Sequence, residues 1–441
     1  MNGIRYLKIY NNILNIGKFY YKFLTNKLKK YNFLRNQDGF NISCCKLDDN
    51  QELYCVRYLG SVAAYFDEEI IPGNFSYYSK KFIEGKPTTK KISYGKNFMW
   101  NSWNETLIDN TIFFVASYEN NNLKINENIE PYVISNKTAY TSINTTSALK
   151  YSDVRLFKIN NDIYCYDGLI SSIYQIKIIN NKIYVPLNLD DDVYNTNYFY
   201  YNNKLCSTCD KPVNNENLGL VFEKKYDKNW SFILFKNNYF EFLNWFEDGH
   251  VTITFIDKSS KCCYKRNIIK MEGDIIDGLG NNKLPMFSFG TAFININTDD
   301  KDIEFQGIAV GHTKIILTKL YDNENIKLLF NDINNLRLDE SYIEHNSYIY
   351  MCYFIKLIKY KNNTYDMYIS DSYLFIDKNQ KYKFSIIFPM GLFEKNNSIV
   401  MSYGYGDYYT YLMEFNKEQL LKKITHNVKN FNINNYKFII Q

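Results

Sequence analysis

The chain has 441 residues, of which 18% are aromatic and 22% are charged. Its 52 basic and 47 acidic residues give a net charge of only +5, dispersed along the chain, which argues against a nucleic-acid-binding protein. No apolar run of about 20 residues indicates a transmembrane helix, and no apolar signal segment of about 7 to 15 residues stands near the N-terminus, so we expect a cytoplasmic protein.

The first 37 residues contain basic side chains and no Asp or Glu. Their pattern predicts a short basic N-terminal helical extension over 1–37. Such a helix could pack on the main domain with a solvated basic face, or it could contact a membrane surface or a partner protein.

From about residue 38 the chain changes character. Short alternating segments rich in Ile, Tyr and Phe recur, each followed by a turn signal of Asn, Asp or Gly, and such segments are typical of strands joined by hairpins. Helical periodicity returns only in "FNKEQLLKKI", residues 415–424. We therefore predict an all-β, closed architecture over 38–426, a propeller of several four-stranded blades, with a C-terminal tail over 427–441.

The nine cysteines are scattered and odd in number, which favours reduced thiols over a disulfide framework. Cys206 and Cys209 have the spacing of half a zinc site, but no second pair accompanies them, so we predict neither a metal nor another cofactor. The sequence also lacks a nucleophile elbow, a Walker loop and a dinucleotide-binding fingerprint.

Asp153 and Arg155 stand at the start of an alternating segment, "SDVRLFKINNDIYCYDG". Residues i and i+2 of a strand point to the same face, so their carboxylate and guanidinium groups are expected to be neighbours. The pair is either part of a site or only an ion pair on one face of a strand.

Five fragments in chain order resemble one family: "NIS…LYCVRY", "SDVRLF", "DKNWSFILFKNN", "FGTAFI…IAVGHTKI" and "FPMGLFEKNNSIVMSYGYGD". The order is similar to that of the five-bladed β-propeller carbohydrate-active enzymes. Within them it most resembles the mannoside phosphorylase group and its glycosyltransferase relatives, and more distantly the arabinanase and invertase propellers. The resemblance spans about residues 38 to 415 and implies five blades around a sugar-binding funnel.

The resemblance also implies roles for individual residues. Asp153 matches the acid of a Glu-Asp-Pro-Arg motif that protonates the glycosidic oxygen, although the Glu and the Pro are replaced here by Ser152 and Val154. The implied substrate-binding residues, around sugar hydroxyls or an anionic group, are Asn41, Ser43, Arg57, Arg155, Lys228, Asn229, Trp230, Thr291, His312, Tyr403 and Asp407.

The chemistry leaves three functions open. A glycosyltransferase or inverting glycoside phosphorylase needs one acid and cationic donors for a phosphate or nucleotide-sugar donor. An inverting hydrolase needs a second carboxylate about 6.5 to 9.5 Å from the first, for which Glu223 or Asp227 is the candidate. A non-catalytic propeller would bind a glycan or a protein partner. We expect the first, with inversion at the anomeric carbon.

Several candidates also have simpler interpretations. Asp407 follows "YGYG" and could be an ordinary turn residue. His312 could be a hydrogen-bonded structural histidine, and Trp230 could belong to the core rather than form a platform for a sugar ring.

Overall fold

The computed structural model describes the chain in segments separated by gaps. These segments are 5–8, 38–61, 107–119, 122–138, 154–167, 172–185, 194–195, 229–244, 250–258, 263–270, 286–316, 348–375, 387–405, 409–430 and 438–440. Nearly all of these residues lie in β-strands or the turns between them.

Asparagine pairs close several hairpins. Asn180 and Asn181 both have positive φ (50° and 61°), as do Asn237 and Asn238 (50° and 70°). Two consecutive residues with positive φ form the type I′ turn, whose twist matches that of two antiparallel strands. Asparagine tolerates this backbone region better than most residues, so the repeated Asn-Asn pairs determine where these strands reverse.

The strands form five sheets, and each sheet is built mainly from consecutive strands. Sheet 1 contains β2 (Asp38–Lys46), β3 (Glu52–Ser61), β4 (Leu107–Glu119), β5 (Asn122–Ile125) and β6 (Tyr132–Thr138). Sheet 2 contains β7 (Val154–Ile159), β8 (Asp162–Asp167), β9 (Ser172–Ile179), β10 (Lys182–Tyr184) and β11 (Tyr194–Asn195). Sheet 3 contains β12 (Ser231–Lys236), β13 (Tyr239–Leu243), β14 (His250–Asp257) and β15 (Cys263–Lys270).

The last two sheets also take strands from the chain ends. Sheet 4 contains β16 (Met286–Phe289), β17 (Ile294–Asn295), β18 (Ile303–Ile316), β19 (Tyr348–Tyr360), β20 (Tyr365–Ile369), β21 (Ser372–Leu374), β25 (His426–Asn427) and β26 (Phe438–Ile440). Sheet 5 contains β22 (Ile387–Lys395), β23 (Ser398–Tyr405), β24 (Tyr409–Asn416) and β1 (Arg5–Lys8).

Each sheet packs on the next one through buried apolar side chains, so the five sheets form a ring. Phe157 of sheet 2 stacks on Phe232 of sheet 3 with ring centroids 4.2 Å apart, and Phe354 of sheet 4 meets Phe415 of sheet 5 edge-to-face at 4.9 Å. Sheets 5 and 1 share a cluster that includes Phe393 and Phe114. Aromatic pairs of this kind add to the free energy gained by burying their area.

The all-β, propeller-like fold with almost no helix is confirmed, but the expectation of five blades is wrong, because the structure shows a four-blade arrangement. Four sheets have the four or five strands typical of a blade, whereas sheet 4 has eight. The difference arises because β17 and β21 pair beside longer strands, and because β25 and β26 return from the C-terminal end to extend the same sheet.

The predicted helix near the C-terminal end is confirmed as α1 (Lys417–Leu421), where the side chain of Asn416 accepts a hydrogen bond from the backbone N–H of Gln419 at 3.0 Å. The N-terminal helical extension is not seen. At Arg5–Lys8 the chain forms β1, which pairs with β24 and so satisfies its backbone groups through a sheet edge rather than through a helix. The remainder of 1–37 lies outside the described residues.

Strands from both predicted end segments, 1–37 and 427–441, thus join sheets of the main unit. The boundaries at 37/38 and 426/427 stay predictions. Among the helices that the structure describes, none has the length and apolar character needed to cross a membrane.

Candidate functional site

The first strand of four sheets lies at the inner edge of the ring, and we call β2, β7, β12 and β22 the inner strands. β2 contacts β7 and β22, β7 contacts β12, and β22 contacts β17 and β18 of sheet 4. Residues of these strands that are far apart in sequence therefore meet at the centre of the molecule.

Arg155 on β7 connects four sheets at this centre. Its Nη2 donates to Oδ1 of Asn229, at the entrance to β12, over 2.7 Å, and its Nε donates to the carbonyl oxygen of Gly290 in sheet 4. Its guanidinium carbon lies 5.6 Å from the ring centroid of Phe388 on β22. Arg155 is only 2% exposed, so this charge is held in a fixed, desolvated position.

The carbonyl group that accepts from Arg155 belongs to Gly290. The backbone at this residue packs closely against the backbone of Val310 and Pro389, which is possible because glycine has no Cβ. A Cβ on Gly290 would lie 2.7 Å from the carbonyl oxygen of Val310 and 2.8 Å from that of Pro389. Thr291 fixes the same turn, since its N–H donates to the Val310 oxygen at 3.0 Å and its Oγ1 accepts from the Val310 N–H at 2.9 Å.

His312 on β18 lies beside the same aromatic ring as Arg155. Its imidazole is 4.9 Å from the Phe388 ring and stacks on Tyr350 at 5.5 Å. It is fully buried, directly opposite Ser288 in the pairing of β16 with β18. Phe388 thus brings two of the predicted basic residues, Arg155 and His312, to one place.

Ser43 on β2 joins three sheets. Its Oγ donates to the carbonyl oxygen of Met390 at 3.0 Å and accepts from the N–H of Leu156 at 2.9 Å. Asn41, with φ of 53°, lies in the bulge of the same strand and packs against Gly404 so closely that a Cβ there would be 2.2 Å from its Oδ1.

Two predicted aromatic residues have their ring faces against other rings. Trp230 is 2% exposed and stacks on Tyr166 with centroids 5.4 Å apart and planes 8° apart. Tyr403 is equally buried and stacks on Tyr411 at 5.5 Å.

Part of the predicted site lies outside the described residues, namely Asp153, Lys228, Asp407, the candidate second acids Glu223 and Asp227, and the Cys206–Cys209 pair. Arg57 lies on β3 opposite Phe40 and Thr111, but only its backbone is described. The described side chains contain no group of three or more His, Cys, Asp or Glu arranged to hold a metal ion.

Sequence reasoning missed three features of this centre. Ser288 lies opposite His312, the Gly290 carbonyl accepts a hydrogen bond from Arg155, and the Phe388 ring lies beside both Arg155 and His312. Gly290 and Phe388 stand inside or beside the quoted fragments, yet nothing in their local pattern distinguishes a carbonyl acceptor or a stacking ring from ordinary strand residues. It also missed two buried carboxyl groups away from the centre. Burial raises the pKa of Glu52 to about 7, and burial raises the pKa of Glu241 despite its partner Lys359.

The comparisons with known proteins can now be set beside this geometry. No protein-family model matches the chain, and no curated protein does. Solved structures similar to it include a β-1,2-mannobiose phosphorylase from Listeria innocua, at 10% identity and a TM-score of 0.40, covering 88% of this chain and 92% of that one. A mannose phosphorylase from Leishmania mexicana, in complex with phosphate, has 10% identity and a TM-score of 0.36, with 90% and 89% covered.

A glycosyl hydrolase from Bacteroides ovatus is similar at 10% identity and a TM-score of 0.39, with 87% of this chain and 85% of that one covered. Likeness at this level does not assign an activity. Mannoside phosphorylases and glycosidases, which the order of the five fragments resembles, are among the similar structures.

Proposed function

We propose that this protein is a carbohydrate-active enzyme that transfers a glycosyl unit, as a glycosyltransferase or an inverting glycoside phosphorylase, with a phosphate-bearing sugar as donor or product. The observation that carries the proposal is the position of Arg155. This arginine is buried at the centre of the ring, is held by Asn229 and Gly290, shares the Phe388 ring with His312, and follows Asp153 by two residues in the chain.

A buried arginine is costly unless hydrogen bonds or an opposite charge compensate it, and Asn229 and Gly290 supply two such hydrogen bonds. Arginine and histidine are suited to bind the oxygens of a phosphate group, and a low-dielectric centre strengthens such contacts. We assign the same role to Arg57 and Lys228, and the binding of sugar hydroxyl groups to Asn41, Ser43, Thr291 and Asp407.

Asp153 is the acid of the proposed reaction. In phosphorolysis, a phosphate oxygen attacks the anomeric carbon, the bond from that carbon to the glycosidic oxygen breaks, and Asp153 gives its proton to the departing oxygen. In synthesis the same steps run backwards, and the carboxylate takes the proton of the acceptor hydroxyl. A single direct displacement inverts the anomeric configuration, and no second carboxylate is required.

The test is a screen of purified protein against nucleotide sugars, sugar 1-phosphates and inorganic phosphate, by thermal shift and then by product detection. We expect one donor to raise the melting temperature of both the wild type and Asp153→Asn, and product to form only with the wild type. Hydrolysis without phosphate dependence, lost in Glu223→Gln or Asp227→Asn, would indicate the hydrolase. Binding of a glycan without turnover would indicate a non-catalytic propeller.

The cellular setting is also a proposal. We infer a cytoplasmic enzyme that acts on glycans, with a sugar or glycan acceptor and without nucleic acid. Peripheral membrane contact through residues 1–36 would be detected by flotation with anionic lipid vesicles.

A further inference from the structure

Tyr118 on β4 connects sheet 1 to sheet 5 through three of its groups. Its hydroxyl donates to Oε2 of Glu414 on β24 over 3.0 Å, and its carbonyl oxygen accepts from Nζ of Lys395, the last residue of β22. Its ring is 5% exposed and meets Phe393 of β22 edge-on at 6.2 Å. Because sheet 1 is the first sheet in chain order and sheet 5 the last, these contacts close the ring.

The N–H of Tyr118 binds a carboxyl group of its own sheet. It donates to Oε2 of Glu52 over 3.1 Å, and the hydroxyl of Tyr54 donates to the same oxygen over 3.4 Å. Tyr118 therefore contacts two carboxyl groups and one ammonium group. We call Tyr118 and its three ionisable neighbours, Glu52, Lys395 and Glu414, the Tyr118 latch.

Glu52 is the buried carboxyl group of the latch. Its side chain is 1% exposed, and both of its hydrogen-bond donors are neutral groups. Burial raises its pKa to about 7, although the charges of Lys395 and Lys46 favour the carboxylate. The ionisable groups that face Glu52 are Tyr54 on its own strand, Tyr118 on β4, Cys44, Cys45 and Lys46 on β2, and Lys395 on β22.

The inner part of the same contact between sheets 5 and 1 is made by neutral groups. Oγ of Ser402 on β23 accepts from Sγ of Cys44 over 3.2 Å and donates to the carbonyl oxygen of Ile42 over 2.8 Å. Burial raises the pKa of the Cys44 thiol and of the Tyr54 hydroxyl, so both stay neutral around pH 7. A change of pH near neutrality therefore acts on the Tyr118 latch rather than on this inner part.

We propose that the Tyr118 latch makes the contact between sheets 5 and 1 sensitive to pH, so that this contact opens locally as the pH rises while the other sheets stay packed. In the closed state Glu52 holds its proton up to about pH 7, whereas a carboxyl group opened to water loses it near pH 4.5. The closed state is therefore fully favoured below pH 4.5 and loses this advantage as the pH rises through about 7. Between pH 6 and pH 8 the open fraction is expected to rise about tenfold. This device does not depend on the proposed glycosyl transfer.

Hydrogen exchange of the full-length protein tests the proposal. Mass spectrometry at pH 6 and pH 8, corrected for the intrinsic exchange rate at each pH, gives the protection of two sets of peptides. Latch peptides cover 111–119 in β4, and reference peptides cover 231–243 in sheet 3. Low concentrations of urea separate local from global opening, because urea acts in proportion to the surface that an opening exposes.

In the wild type we expect the protection of the latch peptides to fall about tenfold from pH 6 to pH 8 and to change little with urea. The reference peptides should be better protected and should lose protection steeply with urea. Equal protection and equal urea dependence in the two sets would mean that only global unfolding occurs, which overturns the proposal. This comparison decides even if a variant fails to fold.

Three variants assign the effect to the latch. Glu52→Gln keeps an oxygen that accepts from Tyr118 and is neutral at every pH, so its latch peptides should be equally protected at pH 6 and pH 8. Glu119→Gln, at the exposed next residue, makes the same change in net charge and should retain the wild-type fall. Tyr118→Phe loses only the hydroxyl bond to Glu414 and should lower latch protection about threefold or more at both pH values.

Two results with these variants contradict the proposal. A tenfold fall that persists in Glu52→Gln would show that another group controls the opening. Wild-type protection in Tyr118→Phe would show that the contact between Tyr118 and Glu414 does not hold the two sheets together.

Discussion

Nζ of Lys359 lies 2.7 Å from Oε1 of Glu241, and the two side chains are only 4% and 5% exposed. The pair joins sheet 4 to sheet 3 between the extended strands β19 and β13. Glu304 is 3.7 Å from the same ammonium group, so one buried cation faces two carboxylates. The ion pair connects the two sheets, and removing the lysine would leave the buried Glu241 carboxylate without its cation.

Replacing Lys359 with methionine is therefore expected to destabilise the protein by about 3 to 5 kcal/mol near neutral pH. Because burial already raises the pKa of Glu241, the carboxyl group can take up a proton when the lysine is gone, and the loss should be smaller at pH 5 than at pH 8. Urea unfolding at both pH values measures the difference.

Lys417→Met provides the control for that substitution. Its partner Glu394 is also 2.7 Å away, but the two side chains are 20% and 34% exposed. Solvent screens such a pair, so a loss of no more than about 1 kcal/mol is expected. Equal effects of the two substitutions would show that burial does not strengthen the Lys359 contact.

Glu52 is expected to make stability depend on pH around neutrality. Its side chain is 1% exposed and accepts hydrogen bonds from the N–H of Tyr118 at 3.1 Å and the hydroxyl of Tyr54 at 3.4 Å. Burial raises its pKa from 4.5 to about 7, so the folded protein holds this proton more tightly than the unfolded chain does. The resulting stabilisation is complete below pH 4.5 and is lost as pH rises through about 7.

Glu52→Gln should remove this dependence, because glutamine is neutral at every pH and can still accept both bonds. Between pH 5 and pH 8 we expect the free energy of unfolding to fall by about 2 kcal/mol less in the variant than in the wild type, as measured by denaturant titration. Glu418→Gln, at an exposed position of α1, is the control and should follow the wild-type curve. An unchanged pH slope in Glu52→Gln would assign the dependence to other groups.

Phe157 is expected to be a main contributor to the contact between sheets 2 and 3. Its ring is 2% exposed, stacks on Phe232 at 4.2 Å and meets Phe242 edge-on at 5.8 Å. Phe157→Ala leaves a cavity and should cost about 3 to 5 kcal/mol, as measured by thermal or urea unfolding. Tyr184→Ala removes an aromatic side chain that is 48% exposed and should change stability little. Similar losses in both variants would contradict the assignment.

Gly290→Ala is expected to disturb the hydrogen bond between Arg155 and the backbone carbonyl of residue 290. The new Cβ would press on the carbonyl oxygens of Val310 and Pro389, so the backbone must shift, at a cost of about 1 to 3 kcal/mol. Because the Gly290 carbonyl accepts from Nε of Arg155, ligand affinity should fall together with the melting temperature. Asn295→Ala, an exposed change on the nearby strand β17, should affect neither. A variant as stable as the wild type would show that the turn can relax.

Local patterns were sufficient to predict the strands and many of their turns. The segment from Val154 to Asp167 alternates and reverses at Asn160, and the structure forms β7 and β8 there. The same reasoning failed at Arg5–Lys8, where a basic pattern predicted helix. The partner that makes this segment a strand, β24, lies some 400 residues further along the chain, and no local signal reports it.

For the candidate site, too, the sequence indicated some features and only the structure showed the others. Arg155, Asn229 and His312 were among the candidates implied by the resemblance of the five fragments, and in the structure Arg155 contacts Asn229 and shares the Phe388 ring with His312. The resemblance did not indicate that Asn229 accepts from Arg155, that the Gly290 carbonyl does so too, or that Phe388 lies against both basic groups. These contacts join positions 74 to more than 230 residues apart in the chain.

The sequence by itself determined the strand period, the asparagine turns and the all-β character, because steric preferences and side-chain alternation act over a few residues. Only the tertiary structure decided how many strands each sheet contains, which end segments join it, and which side of the Asn229 amide faces Arg155. Those choices depend on satisfying backbone and buried polar groups across sheets, and the partners become neighbours only once the ring has closed.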